Sequence, residues 1–306
     1  MAKIGYYIFL IPLSYLPLTA LYILTDLFYL LIITVIPYRK KVIEENIERS
    51  FPNKSKQERR KIKLKFYRHL TDLLAEGIKS LTISEHEIHR RLKVTNPEIM
   101  DELHKKERNV ILVSGHYNNW EWLVNVQDLL FKHKAIGIGM PLSSKFWGKK
   151  INERRSRFGM TIAHAKSYKA ELDKRKNELN AILLLSDQSP GNSLKSYWMD
   201  FLNQKTAVLF GTELMANTLD YSVVFFAIKK MKRGTYTMEL TLIAENPRDF
   251  NWGGITEAHT RLLEKEIILT PQYWLWSHKR WKRELPEDIE LLMNEQREKF
   301  NTKFNK

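Results

Sequence analysis

From Ile4 to Ile36 the chain is almost wholly apolar, and Asp26 is the only charge in that run. A bilayer core requires roughly 20 apolar residues of helix. The run is long enough for a span, and too long for the apolar part of a signal peptide. Pro12 and Pro17 interrupt it, because proline lacks a backbone donor and clashes with the preceding turn. A carboxylate such as Asp26 is costly at the bilayer centre. One bent helix, a span with an interfacial segment, a re-entrant hairpin and a buried core helix are the arrangements open to it. Arg39-Lys40-Lys41 follows at once, against Lys3 and the amino terminus on the other side. The excess of positive charge puts the C-terminal bulk in the cytoplasm. Residues 1–38 therefore read as a membrane-anchoring hydrophobic segment, and 39–306 as an α/β domain with a helical N-terminal part.

That second part is large enough to bury a core of its own. The chain of 306 residues carries a formal net charge of +15, which favours an anionic partner, either nucleic acid or an anionic membrane surface. It contains no cysteine, so disulfides, thiol nucleophiles and Cys-ligated metals are excluded. Residues 40–80 read as two charged helices divided near Pro52, with Ile43, Ile47, Ile62, Phe66 and Leu70 among the candidate buried positions.

From residue 110 onward, apolar runs alternate with amphipathic stretches. Candidate strands are 110–114, 135–140, 160–164, 181–186, 222–229 and 236–244. Candidate helices are 121–131, 146–157, 167–179, 207–219 and 256–269. This alternation predicts a central, mostly parallel or mixed sheet layered by helices.

At the end of the first of those strands, Ser114-Gly115 leads into His116-Tyr117-Asn118-Asn119-Trp120-Glu121. Ends of strands in α/β sheets are where sites are commonly built. A histidine followed five positions later by a carboxylate supplies a base and a partner able to orient it. Five positions do not share a helix face, so the pairing requires a turn, for which Gly115 and Asn118-Asn119 are suitable residues. No phosphate-binding G-x-x-x-x-G-K-[ST], dinucleotide G-x-G-x-x-G, H-E-x-x-H or G-x-S-x-G is present. The C-terminal run Tyr273 to Lys282 interleaves Trp and Tyr with Lys and Arg. That mixture suits nucleic acid and also a membrane interface; beside the apolar N-terminus, the membrane reading is preferred.

Several of these features occur in a recognisable order. Gly115-His116-x-x-Asn119-Trp120-Glu121 resembles the H-x4-[DE] motif of the glycerolipid and lysophospholipid acyltransferases. More narrowly it resembles the lauroyl and myristoyl transferases of lipid A assembly. The Arg154-Arg155-Ser156-Arg157-Phe158-Gly159 helix end, the strand end Leu185-Ser186-Asp187-Gln188, the stretch from Phe201 to Ala216 and the run Trp276 to Lys282 follow in the order of that family. Asn118 stands where such proteins often carry glycine. Asparagine tolerates left-handed backbone, so the turn survives.

The resemblance implies transfer of a fatty acyl group from an acyl thioester to a hydroxyl of a lipid A precursor. His116 would take the proton, and Glu121 would hold its other ring nitrogen and stabilise the imidazolium. Arg155 and Arg157 are expected to bind phosphate, which guanidinium matches bidentately. Asp187 and Asn119 join them as substrate-binding positions. No cofactor or metal is implied; acyl carrier protein or coenzyme A would bring the acyl group as co-substrate, and the basic surface suits the acidic carrier protein. The expected location is the cytoplasmic side of the inner membrane, with no nucleic-acid partner. Acylation of a lysophospholipid or an aminolipid, or non-catalytic binding of anionic lipid, are the competing readings.

Overall fold

The computed structural model describes residues 2–36 and 38–306. The N-terminal run is not one span. It comprises α1 (Ala2–Ile4), a π-helical turn over Gly5–Leu10, α2 (Ile11–Tyr15) and α3 (Leu18–Thr34). Leu16 is forced extended, with ψ 149°, because the ring of Pro17 excludes helical geometry from the residue before it. The longest piece, α3, has 17 residues, so it reaches about 25 Å against a hydrocarbon core of about 30 Å. No helix among the described residues is long and apolar enough to cross a membrane, so among the arrangements open to this run a single-helix span has no support.

What α3 does is pack sideways on the body. Leu18, Leu21, Tyr22, Thr25 and Ile32 are buried, while Ile23, Leu24, Leu27, Leu30 and Leu31 point outward and stay exposed. Asp26 does not lie bare among them. Arg233 and Arg68 hold its carboxylate, the latter at 2.9 Å, and Arg233 also reaches Asp72 at 2.6 Å.

Two helices follow, α4 (Lys40–Ser50) and α5 (Lys56–Lys79), separated around Pro52 as the sequence predicts. Ser55 and Glu58 close the start of α5 as a reciprocal capping box. Next come α6 (Glu85–Arg91), β1 (Leu92–Val94), α7 (Glu98–Lys105), β2 (Val110–Ser114), α8 (Trp120–Leu130), β3 (Lys134–Gly139), α9 (Lys145–Arg155) and β4 (Thr161–His164). The chain continues through α10 (Tyr168–Lys174), β5 (Asn180–Leu185), β6 (Tyr197–Phe201), β7 (Gln204–Val208), α11 (Gly211–Leu219), β8 (Ser222–Lys232), β9 (Thr235–Ala244), α12 (Gly254–Leu269) and α13 (Ile289–Phe304).

Seven strands form one sheet in the order β1-β9-β8-β2-β5-β3-β4. All neighbours are parallel except β8 and β9. Strand side chains alternate between faces, and β2 shows the consequence. Val110 and Leu112 belong to one buried cluster with Trp122, Leu123 and Val126 of α8, and that cluster extends to Leu18 and Leu21 of α3. Ile111 and Val113 pack with Ala216 of α11 and Ile255 of α12 on the other side. The sheet is thus mixed, mostly parallel and covered on both faces.

Part of the expected helix 207–219 is a strand. Gln204–Val208 pairs antiparallel with Tyr197–Phe201 in a separate hairpin. Leu202 and Asn203 turn it with φ of 49° and 62°, the two left-handed residues that match hairpin twist.

Candidate active site

The register of two parallel strands builds the site. Ser114 is level with Leu185 across the β2–β5 pair, and the Ser186 N–H donates to the Ser114 carbonyl at 2.8 Å. Two residues beyond each strand, His116 and Asp187 therefore emerge side by side at the carboxyl edge of the sheet. The His116 ring donates from Nδ1 to Asp187 Oδ1 at 2.6 Å. The His116 backbone N–H donates to Oδ2 of the same carboxylate at 2.9 Å, and Trp274 Nε1 donates to that oxygen at 2.8 Å.

Gly115 is required for this closeness. A Cβ there would sit 2.5 Å from Leu263 Cδ2 and 2.9 Å from Asp187 Cγ. Beyond it the chain turns at Asn118, whose φ is +52°, so asparagine takes the left-handed position expected of it. The Asn118 N–H donates to the Tyr273 carbonyl at 2.9 Å, and the Leu275 N–H donates to the His116 carbonyl at 3.1 Å. Asn119 then caps α8, its Oδ1 accepting from the Trp122 N–H at 3.0 Å. Its amide nitrogen donates to Glu76, a fully buried carboxylate that also accepts from Tyr22 and Tyr236 at 2.6 and 2.8 Å. Asn119 is thus a structural part of the turn.

Contrary to the expectation from the sequence, Glu121 does not orient His116. It occupies the first turn of α8, and its two oxygens are taken by Arg154 and Arg155 of α9. Asp187, expected to meet substrate, has the orienting position instead. The turn sends Glu121 toward α9, whereas strand register brings Asp187 to the ring. Arg157 lies apart: it donates to the Ser80 and Ile83 carbonyls at 2.9 and 3.0 Å, satisfying backbone near the end of α5. Of the arginines, Arg154 and Arg155 converge on the motif.

Charge follows from these contacts. Burial disfavours the imidazolium of His116, but the Asp187 carboxylate outweighs it and, with Glu121, raises the His116 pKa above its ordinary value. Asp187 is buried too, which opposes its charge. The His116 ring, the His116 N–H and the Trp274 indole overcome that and bring it down to about 2. Glu121 is buried, yet Arg154 and Arg155 hold it below the usual carboxylate range.

With Nδ1–H committed to Asp187, Nε2 of His116 carries the lone pair, which accepts from the Gln188 amide nitrogen at 3.3 Å. Trp120 packs edge-on to the ring at 5.0 Å. Trp120 and Glu121 also border an apolar cavity of about 630 Å³ between α5, α9 and the N-terminal helices. Among the aromatic residues near the motif, Trp120 and Trp147 line this cavity. Trp122 is buried, donating to the Glu76 carbonyl at 3.2 Å, and Phe146 packs on Tyr6 at 5.7 Å.

The C-terminal aromatic run turns inward, not to an interface: Trp274 and Trp276 are buried. Arg280 is buried as well and donates to Thr206 Oγ1 at 2.9 Å. Burial lowers it to about 10 against the pull of Asp187. Trp274 and Gln188 stand in stretches the sequence singles out, but their contacts with Asp187 and His116 do not show there, because a lone indole or amide carries no spacing signal.

A histidine held in this tautomer can take a proton from a hydroxyl, and an apolar cavity beside it can receive an alkyl chain. The chain belongs to the bacterial lipid A biosynthesis acyltransferase family, whose model matches residues 3–283. It is similar to the lipid A biosynthesis lauroyltransferase of Escherichia coli (strain K12), at 22% identity over 258 residues, covering 82% of this chain and 81% of that protein. It is also similar to the palmitoleoyltransferase of lipid A biosynthesis from the same organism, at 21% over 256 residues, covering 80% and 79%. A lipid A biosynthesis acyltransferase of Shigella flexneri has the same 21% identity and coverage. The chain is an acyltransferase of lipid A biosynthesis.

Proposed function

We propose that this acyltransferase uses His116 as the base that deprotonates a hydroxyl of the lipid A precursor, with an acyl thioester as donor. The hydroxyl oxygen attacks the thioester carbonyl, an ester bond forms and the carbon–sulfur bond breaks. The proton taken by Nε2 passes to the departing thiolate. Asp187 fixes the tautomer that leaves Nε2 unprotonated and offsets the imidazolium charge as it forms. Glu121 acts through its arginines and through its charge on His116. Arg155, at the rim of that cluster and partly exposed, is the position for a phosphate of donor or acceptor. The observation that carries this reading is the double grip of Asp187 on His116.

We also propose that the outward face of α3 rests in the cytoplasmic surface of the inner membrane. Leu27 and Leu31 are 59% and 47% exposed, contiguous exposed apolar surface of this kind marks contact sites, and Arg39-Lys40-Lys41 follows the helix. An apolar face with flanking cations suits a helix lying in the interface. The net charge of +15 favours an acidic carrier protein as donor through steering.

Mass spectrometry of lipid A from cells with and without the gene tests the function. Loss of one acyl chain is expected; an unchanged acyl count would overturn the reading. Parallel assays with acyl carrier protein and coenzyme A thioesters identify the donor.

A further inference from the structure

The side-chain amide of Gln188 meets His116 at the nitrogen that does the chemistry. Nδ1–H is spent on Asp187, so Nε2 is unprotonated and accepts, and the amide turns its NH2 group toward it at 3.3 Å. This contact cannot outlast the reaction. Once Nε2 takes the hydroxyl proton, its lone pair is used and the Gln188 N–H loses its acceptor. It is then a hydrogen-bond donor set free beside the place where the thioester is attacked.

Other donors around the motif are already committed. Backbone N–H groups often stabilise the oxyanion of acyl transfer. Here those of His116, Tyr117 and Asn118 go to Asp187, the Gly115 carbonyl and the Tyr273 carbonyl, at 2.9, 2.8 and 2.9 Å. Arg154 and Arg155 direct donors to Glu121.

Gln188 is fixed from both sides. Asp187 before it is gripped by His116 and Trp274. After it, the Ser189 N–H donates to His278 Nε2 at 3.2 Å. Arg283 donates to the Pro190 and Gly191 carbonyls at 2.8 and 2.7 Å. Pro190 restricts the backbone of Ser189 as well. Burial holds the His278 pKa below its ordinary value, which suits a nitrogen that must accept. A donor placed in advance needs no reorganisation when charge appears.

We infer that Gln188 is a catalytic residue that donates a hydrogen bond to the thioester oxygen as it becomes an oxyanion, and that His278 and Arg283 position it. The inference rests on the reading of His116 as the base. The substrate hydroxyl oxygen bonds to the thioester carbon while its proton moves to Nε2, and the carbonyl electron pair moves onto oxygen. Gln188 meets that charge. The pair then returns, the carbon–sulfur bond breaks, and the thiolate takes the proton from Nε2. An interaction made only as charge develops raises kcat and leaves substrate binding alone.

The test compares the purified full chain with Gln188→Met, Gln188→Glu, His278→Ala and His116→Ala, in transfer from an acyl thioester to a lipid A precursor. Gln188→Met keeps the length of the side chain and loses the N–H; Gln188→Glu keeps its shape. Both should lose kcat by roughly 10²–10³-fold, the cost of one oxyanion donor, with KM for both substrates and the melting temperature near wild type. His278→Ala should lower kcat in the wild-type background and add little in Gln188→Met, because it acts through Gln188. Full additivity would overturn the positioning role. A Gln188 that only covers Nε2 would give a Gln188→Met protein with kcat at or above wild type and a lower KM for the acceptor. That result, unchanged kinetics, or a loss confined to KM would overturn the inference. Slowed Gln188→Met beside a His116→Ala variant at the wild-type rate would uphold the oxyanion donor and overturn the base reading. Slowed His116→Ala beside a fully active Gln188→Met would do the reverse.

Discussion

Asp187 holds His116 twice, taking the ring Nδ1–H on one carboxylate oxygen and the backbone N–H on the other. The first contact fixes the tautomer and the second fixes the residue, so the position of Nε2 is set by β5 as much as by β2. Replacing Asp187 by asparagine keeps the shape and removes the charge. Transfer should fall by about 10²–10⁴-fold, the range for a compromised general base, with KM for the acceptor little changed. Steady-state kinetics check this, and a kcat within a few-fold of wild type would contradict it.

The pH profile follows from the same pair. Folding raises the His116 pKa, so the charged ring stabilises the fold. That contribution is complete below about pH 6.5, the unfolded value, and is lost as pH rises through the folded one. Catalysis needs the neutral ring, so the acid limb of kcat/KM should lie above about pH 6.5. Asp187→Asn should move the limb downward. Asp187, lowered to about 2, contributes in the opposite sense: its stabilisation is present above about pH 3.9 and disappears as pH falls toward the folded value.

Glu121 is paired with Arg154 and Arg155, and all three side chains are largely shielded. Glu121→Ala leaves two cations facing each other without a counter-charge. The cost should be about 3 kcal/mol, the lower end for breaking a buried pair because Arg155 keeps some solvent. Urea unfolding measures it. Arg157→Ala, which removes donors to Ser80 and Ile83 carbonyls, should lower stability without changing the KM for a phosphorylated acceptor.

Leu27 and Leu31 on α3 are exposed and stand outside the buried core clusters. Their joint change to glutamate should leave thermal stability within about 0.5 kcal/mol, as for other exposed positions. Binding to anionic phospholipid vesicles should drop sharply, read by co-sedimentation. Raised salt should weaken what electrostatic attraction contributes.

Local pattern made much of this architecture readable, and long-range pairing supplied the remainder. Val110–Ser114 was visible as a strand because it is short, apolar and β-branched. The break between α4 and α5 was visible in Pro52. The hairpin of β6 and β7 was hidden because Leu202-Asn203 lacks the glycine that marks such turns. At the site, His116 was legible from its place after a strand. Its partner was misread because five residues of sequence suggested Glu121, whereas the sheet register aligns Ser114 with Leu185 and so brings in Asp187 from 71 residues away. The arrangement of the N-terminal run stayed open in the sequence because hydropathy does not record that α3 packs on the body or that Asp26 has Arg233 and Arg68 as partners.

The central claim is that His116 is the base. The direct measurement is acyl transfer to a lipid A precursor by the purified full chain and its His116→Ala variant, followed by the mass of the product. Wild type should add one acyl group, and His116→Ala should be slower by at least about 10²-fold while folding normally. A His116→Ala protein that transfers at the wild-type rate would contradict the account.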